Sequence, residues 1–357
     1  MVKKVYLAEP RGFCAGVEMA IKALSFLVQA FEAPVYCYHE IVHNKIVVDR
    51  FKKKGVIFVD SIDEVPENAI VMLSAHGSAP EIVQASNENN RLSVNAVCPL
   101  VTKVHHEAKT RASKGFEILY VGHPGHDEAI GTTAVAPDNI HLISTEEELG
   151  NAINEIGNEK EVALLAQTTL ALSEWQHIQE KAQDLYPELW TATRGDLCFA
   201  TTNRQSALKE LVKVTDVILI IGSSNSSNTL ALEKVAKETG SARVYRIDSA
   251  EQVSEVALLD DDIVGVTAGA SAPDDVVQAV VDACNSKEEI EVVRVIDEDE
   301  YFPPPSQLRN LVIDLNYAVE EAFSQLRKDK DLNNQIEVDL RKVFQEDKTL
   351  SASEVLV

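Results

Sequence analysis

The sequence contains no hydrophobic stretch of transmembrane length, and its opening MVKKVYLAEP carries an apolar run far too short for a secretory signal. Basic residues are scarce: 33 Lys and Arg stand against 57 Asp and Glu, a formal charge of −24. Such a field repels nucleic acid and anionic membrane surfaces, so neither is an expected partner. No CxxC pair occurs, and the 5 cysteines are odd in number and widely spaced. That argues against a disulfide framework and for a reducing, cytoplasmic setting. A GxxxxGKS/T loop is also missing, so P-loop nucleotide hydrolysis is not indicated, and without a GxGxxG turn after a strand no nicotinamide cofactor is expected on this chain.

What is present is a long α/β pattern. At 357 residues the chain exceeds one ordinary core. Strand-like runs occur at 5–8, 34–38, 56–60, 69–75, 117–122, 161–167, 217–222, 243–247 and 263–269, and helical spacing fills most of the gaps, as in 16–31 and 227–240. This alternation implies mostly parallel sheets with crossover helices. Three α/β units are expected, over 1–97, 98–195 and 196–286, without a clear repeat at the level of sequence. A C-terminal segment, 287–357, follows. Its DEDEYFPPPSQL stretch reads as a linker, and Leu308, Leu311, Leu315, Val319 and Phe323 then recur at helical spacing.

Cys14, Cys98 and Cys198 each stand between a short apolar run and a helical pattern, at intervals of 84 and 100 residues. A helix N-terminus stabilises anionic sulfur. Three such thiolates from separate segments suit zinc or an iron–sulfur cluster alike, and leave one metal position without a protein ligand. Cys37 lies mid-strand and Cys284 in a helix, and both read as core fillers. His43, His76 and His126 fall in loops beside Gly, Asn, Ser or Pro, where α/β sheets bind ligands. His105, His106 and His177 read as helical and structural or exposed. Glu128, two residues past His126, is a candidate proton donor if a partly apolar site holds its pKa up. The turns GSSNSSNT (222–229), GASAP (269–273) and QTT (167–169) offer hydroxyls, amides and backbone N–H groups to a phosphate, beyond what capping needs.

In order, PRGFCAGV, HEIVHN, SAHG, CPLVTKVH, GHPGHDE, QTTL, CFATTNRQ, SSNSSN and VTAGASAP closely resemble one family, the LytB or IspH reductases of 4-hydroxy-3-methylbut-2-enyl diphosphate. The resemblance runs from about residue 3 to about 305 and implies a trefoil-like arrangement of three α/β domains around a [4Fe–4S] cluster. It implies that Cys14, Cys98 and Cys198 are the three cluster ligands and that the open iron takes the substrate. Glu128 would deliver protons with help from Thr168. His43, His76, His126, Ser226, Ser227, Asn228 and Ser271 would hold the diphosphate, and Asn44 gains no role. The implied reaction removes the allylic hydroxyl as water and yields isopentenyl and dimethylallyl diphosphates, the last step of the non-mevalonate isoprenoid pathway. A ferredoxin or flavodoxin is the implied electron donor. Asp127 departs from the proline of many relatives, and the acidic extension exceeds the family core; a homo-oligomer formed through it is an open expectation. From the residues alone, a zinc hydrolase of a phosphorylated small molecule and a non-catalytic iron–sulfur sensor are the alternatives.

Overall fold

Three parallel sheets share one strand order. The first holds β2 (Val35–Tyr38), β3 (Ile57–Val59), β4 (Ile70–Leu73) and β5 (Leu92–Asn95) in the order β3-β2-β4-β5. The second holds β6 (Glu117–Val121), β7 (Ile140–Ile143), β8 (Val162–Ala166) and β9 (Trp190–Thr191) in the order β7-β6-β8-β9. The third is built from β10 (Val217–Ile221), β11 (Val244–Ile247) and β12 (Ile263–Ala268), with β1 (Lys4–Glu9) and β13 (Glu291–Arg294) completing the order β11-β10-β12-β1-β13. The computed structural model describes residues 1–330 except 33, 158, 193, 194 and 242, together with Ala352 and Leu356.

The first expected unit therefore does not contain its own first strand. β1 pairs with β12 and β13, so the N-terminus supplies the fourth strand of the third sheet, and residues 291–294, expected in a separate C-terminal segment, extend that sheet. Both faces of each sheet are buried. Leu119 and Leu164 face one cluster while Ile118, Tyr120 and Leu165 face another, which is why the central strands read as unbroken apolar runs.

Cys14, Cys98 and Cys198 each follow the fourth strand of a sheet, on the connection that carries the chain to the next sheet. β1 leads through Cys14 into α1 (Ala15–Ala30), whose Ala20, Leu24 and Leu27 pack with Val35 and Met72 of the first sheet. β5 leads through Cys98 into α4 (Pro99–Ser113), whose Val104 and Ala108 pack on Ile118 of the second. β9 leads through Cys198 into α8 (Phe199–Val212), whose Ala207, Leu208 and Leu211 pack on Ile218 of the third. The first and third strands of each sheet end in the donor loops. β2 and β4 lead to α2 (Lys45–Lys53) and α3 (Pro80–Ser86), β6 and β8 to α5 (Asp127–Thr133) and α7 (Leu172–Leu185), and β10 and β12 to α9 (Ser227–Glu238) and α10 (Asp274–Cys284).

α6 (Glu146–Ile156) follows β7, and α11 (Ser306–Lys330) closes the described helices. α11 starts on the first unit, with Leu308 fully buried in the same cluster as α1 and Leu311 packed against it. Leu315 and Val319 are half-buried; the side chain of Phe323 lies outside the described residues.

Candidate active site

The strand ends converge on a cavity of about 100 Å³, and all three units line it. Its floor is sulfur. Cys14, Cys98 and Cys198 are free thiols at the N-caps of α1, α4 and α8. Burial, and then charge on Cys14, pushes the Cys198 thiol up to about 12 and raises Cys98 as well. Thiols raised in this way do not ionise unless a cation joins them, and a metal centre would supply one. The backbone leaves room for it. A Cβ on Gly16 would lie 2.7 Å from Cys98 Sγ and 4.0 Å from Cys14 Sγ, so only glycine keeps the space beside the two sulfurs clear. Three soft donors around a cleared space fit an iron–sulfur centre. Cys37 and Cys284 are buried in the first and third cores, as expected of fillers.

Arg204 fixes this floor and was not singled out by the sequence. Only 1% exposed, it donates to the carbonyls of Gly12, Phe13 and Ala200, tying the Cys14 loop to the Cys198 helix. Glu298 balances its charge at 3.1 Å and also accepts from Asn203. Glu298 lies in the stretch read as a linker, and Phe302 of the same stretch lines the cavity. The segment is thus part of the site wall. Thr201 completes the Cys198 surroundings, its N–H reaching Sγ at 3.2 Å and its hydroxyl at 2.9 Å.

Above the thiols stands Glu128, 2% exposed in the first turn of α5. Its Oε1 accepts from Thr168 N–H at 2.7 Å and its Oε2 from the Thr168 hydroxyl at 2.9 Å. Burial outweighs these bonds and pushes the carboxyl up to about 7, with Asp196 adding to the rise. A group half-protonated near neutrality suits proton delivery. Thr169 and Gln167 continue the network, both donating to Ser227 Oγ, at 2.9 and 3.0 Å.

The imidazoles form one wall. His43 and His76 stack with centroids 3.8 Å apart at 11°, and His126 meets them edge-on at 5.0 and 5.8 Å. Glu128 N–H donates to His126 Nδ1 at 3.1 Å. A neutral ring accepting there carries its proton on Nε2. Burial, then the neighbouring histidines, hold His126 down to about 3 and His76 well below its ordinary value. His43 Nδ1 is turned to Glu40 at 3.2 Å, and Glu40 also accepts from Asn225 across the junction with the third unit.

The third unit adds hydroxyls. Ser226 caps α9 by accepting from Thr229 N–H, which leaves its own hydrogen free to donate. Ser271 donates to the His43 carbonyl at 2.9 Å. Asn228 is largely committed within the protein, accepting from Ala270 N–H at 2.9 Å and donating to Thr201 Oγ1 at 3.2 Å. One amide hydrogen remains for a ligand. Asn44, given no role, caps α2 by accepting from Val47 N–H at 3.1 Å. His105 and His106 lie in α4 and His177 in α7, and none of the three lines the cavity. Among the described residues no helix is long and apolar enough to cross a membrane.

Fold and site together define a class: a three-lobed α/β protein whose lobes meet at a cavity lined by three thiols, a buried carboxyl, imidazoles and hydroxyls. The LytB protein family model matches residues 5–285. A 4-hydroxy-3-methylbut-2-enyl diphosphate reductase of Rhodopirellula baltica is 44% identical over 86% of this chain and 96% of its own. The Cutibacterium acnes enzyme of the same name is 42% identical over 86% and 95%. The structure of the E-1-hydroxy-2-methyl-but-2-enyl-4-diphosphate reductase from Plasmodium falciparum superposes with a TM-score of 0.81 at 28% identity, covering 88% of this chain and 99% of that one. The chain belongs to the LytB family.

Proposed function

We propose that this protein is a reductive dehydroxylase converting (E)-4-hydroxy-3-methylbut-2-enyl diphosphate to isopentenyl and dimethylallyl diphosphates. One observation carries the reading: Glu128, raised to about 7 and fixed at both oxygens by Thr168, shares one cavity with three converging thiols. The relatives carry the reductase name, which supports this reading over a zinc hydrolase or a non-catalytic sensor.

Cys14, Cys98 and Cys198 would hold a [4Fe–4S] cluster. When bound, the cluster supplies the two electrons and an iron position that no protein ligand occupies. The remaining work falls to the chain's own groups. His43, His76 and His126, with Ser226, Ser227, Asn228 and Ser271, anchor the diphosphate at the far wall, so that the allylic end reaches toward the sulfurs. Protonated Glu128 gives its proton to the departing hydroxyl, which leaves as water, and the Thr168 hydroxyl and N–H then stabilise the carboxylate left behind. A second proton, relayed from solvent to either end of the allyl group, completes the two-electron, two-proton reduction and gives the two isomers. The apolar neighbours Val17, Val42 and Phe302 keep bulk water from the allyl group. The electrons come from a small donor of the ferredoxin or flavodoxin kind.

The test is anaerobic turnover of the hydroxy diphosphate by cluster-loaded protein with a chemical reductant, read as the two isomeric products. A loaded cluster with no turnover would overturn the proposal, as would a colourless protein retaining only stoichiometric zinc after reconstitution.

A further inference from the structure

Asp127 is a carboxylate inside a wall whose other polar groups suit an anion. Its Oδ1 is 2.7 Å from His39 Nδ1, and its Oδ2 lies 3.7 Å from both His43 Nε2 and His76 Nδ1. One carboxylate from the second unit thus faces three rings of the first. The arrangement is held in place from both sides. His39 adopts a left-handed backbone (φ 58°) with its ring stacked on Tyr38 at 4.1 Å, and Asp127 opens α5. His76 Nδ1 is buried and has no hydrogen-bond partner.

The same three ligand atoms, on His43, His76 and Asp127, lie close enough together to suggest a metal ion. Ring geometry argues against one. Each imidazole lone pair lies in its own ring plane, and nearly parallel rings with centroids 3.8 Å apart cannot both meet one ion at the ~2.1 Å of a nitrogen–metal bond. A proton, unlike a metal, needs only one ring.

An entering diphosphate and Asp127 carry charge of the same sign. His76 lines the cavity and turns Nδ1 to Asp127, so it can donate to the carboxylate and to a phosphate oxygen together only as an imidazolium. We propose that Asp127 is a positioning residue that couples diphosphate binding to proton uptake: as the anion enters, the carboxylate keeps a proton from solvent on the His39–His43–His76 cluster. In the free pocket burial holds His76 neutral, so the incoming proton has a place to go, while the bond to Asp127 raises His39 above its ordinary value. The inference rests on the reading of this wall as the diphosphate site.

Other charged groups also face the cluster. Glu40 sits on His43, Asp60 and Tyr38 beside His39, and His123, His126 and Glu128 on the α5 side. All of them stay in place when Asp127 is changed, so a comparison of variants reads Asp127 itself.

The experiment is calorimetric titration of the cluster-loaded protein with inorganic diphosphate, at pH 7.5 to 8.5, in two buffers of different ionisation enthalpy. Ionisation of the diphosphate itself is common to all variants and cancels in the comparison. The wild type is expected to take up close to one proton more per diphosphate than Asp127→Asn, and Asp127→Glu to restore the uptake. Affinity of the wild type should also fall more steeply with pH than that of Asp127→Asn, by about tenfold per pH unit. A loss of packing would weaken binding at every pH without changing this slope. Equal proton uptake and parallel slopes overturn the coupling while leaving the pocket as the diphosphate site. A wild type that binds diphosphate without proton uptake overturns it too, even if Asp127→Asn fails to fold. Failure of the loaded wild type to bind diphosphate overturns the reading of the pocket and the inference with it.

Discussion

Replacing Glu128 with Gln tests the chemistry and the energetics of the site together. The carboxyl titrates near 7 in the fold against an ordinary 4.5 because it is buried, a gap worth ~3 kcal/mol at about 1.4 kcal/mol per pH unit. Between those two values the folded protein keeps a proton that the unfolded chain has released. This contribution to stability is therefore fully present below about 4.5 and lost as pH rises through about 7. Gln cannot titrate. It keeps an oxygen for Thr168 N–H, and the Thr168 hydroxyl can rotate to accept from the new amide.

Glu128→Gln should then gain ~3 kcal/mol on the wild type between pH 4.5 and pH 8, while losing about 10²- to 10⁴-fold in turnover for want of a proton donor. Anaerobic denaturant unfolding at several pH values, followed by circular dichroism, measures the first effect; product formation measures the second. In the wild type, kcat should fall as pH rises through about 7. Parallel stability profiles for the two proteins would show that the buried carboxyl is not what titrates. Undiminished turnover by the Gln variant would show that it is not the acid.

Thr168→Val removes the hydroxyl donor to Glu128 Oε2 but keeps the N–H bond to Oε1, so the alkaline limb of kcat should move up by about one pH unit. Gly16→Ala places a Cβ 2.7 Å from Cys98 Sγ; such overpacking costs about 1–3 kcal/mol, and iron bound per chain after reconstitution should drop although the far-ultraviolet spectrum is unchanged. Cys37→Ala and Cys284→Ala leave small cavities in the first and third cores. They should lower the unfolding midpoint yet keep the wild-type iron content, and iron loss in either would mean that the ligands have been misread.

The central strands were legible because both of their faces are buried, which writes them as continuous apolar runs. β5, β7, β9 and β13 are absent from the expected strands. All four lie at sheet edges, and β9 has only two residues. The loops that line the cavity were legible because Cys, His and Ser/Asn stand in the connections that follow strands. Asp127 was noticed only as an added charge beside Glu128, since its engagement with His39 spans 88 residues of sequence. Nothing local marks Arg204 as buried, and the acid run that contains Glu298 reads as solvated until its partner, 94 positions away, is known.

Why three cysteines, and why no visible repeat, have one answer in the strand order. Each unit runs second-first-third-fourth, but the chain begins on a fourth strand, so β1 completes a sheet whose other core strands come more than 200 residues later. A comparison of successive stretches from residue 1 is therefore out of phase with the repeat. In phase, the positions correspond: Cys14, Cys98 and Cys198 follow fourth strands, His43, His126 and Ser226 follow first strands, and His76, Thr168 and Ser271 follow third strands. A fourth-strand end is also where the chain must leave one sheet for the next. All three crossings pass through the junction of the lobes, and a side chain placed on each crossing is brought to the centre by topology alone. The three thiols thus converge through the crossings themselves, while the nonequivalent residues that follow the first and third strands contribute imidazoles from the first unit, an imidazole and the Glu128 carboxyl from the second, and hydroxyls from the third.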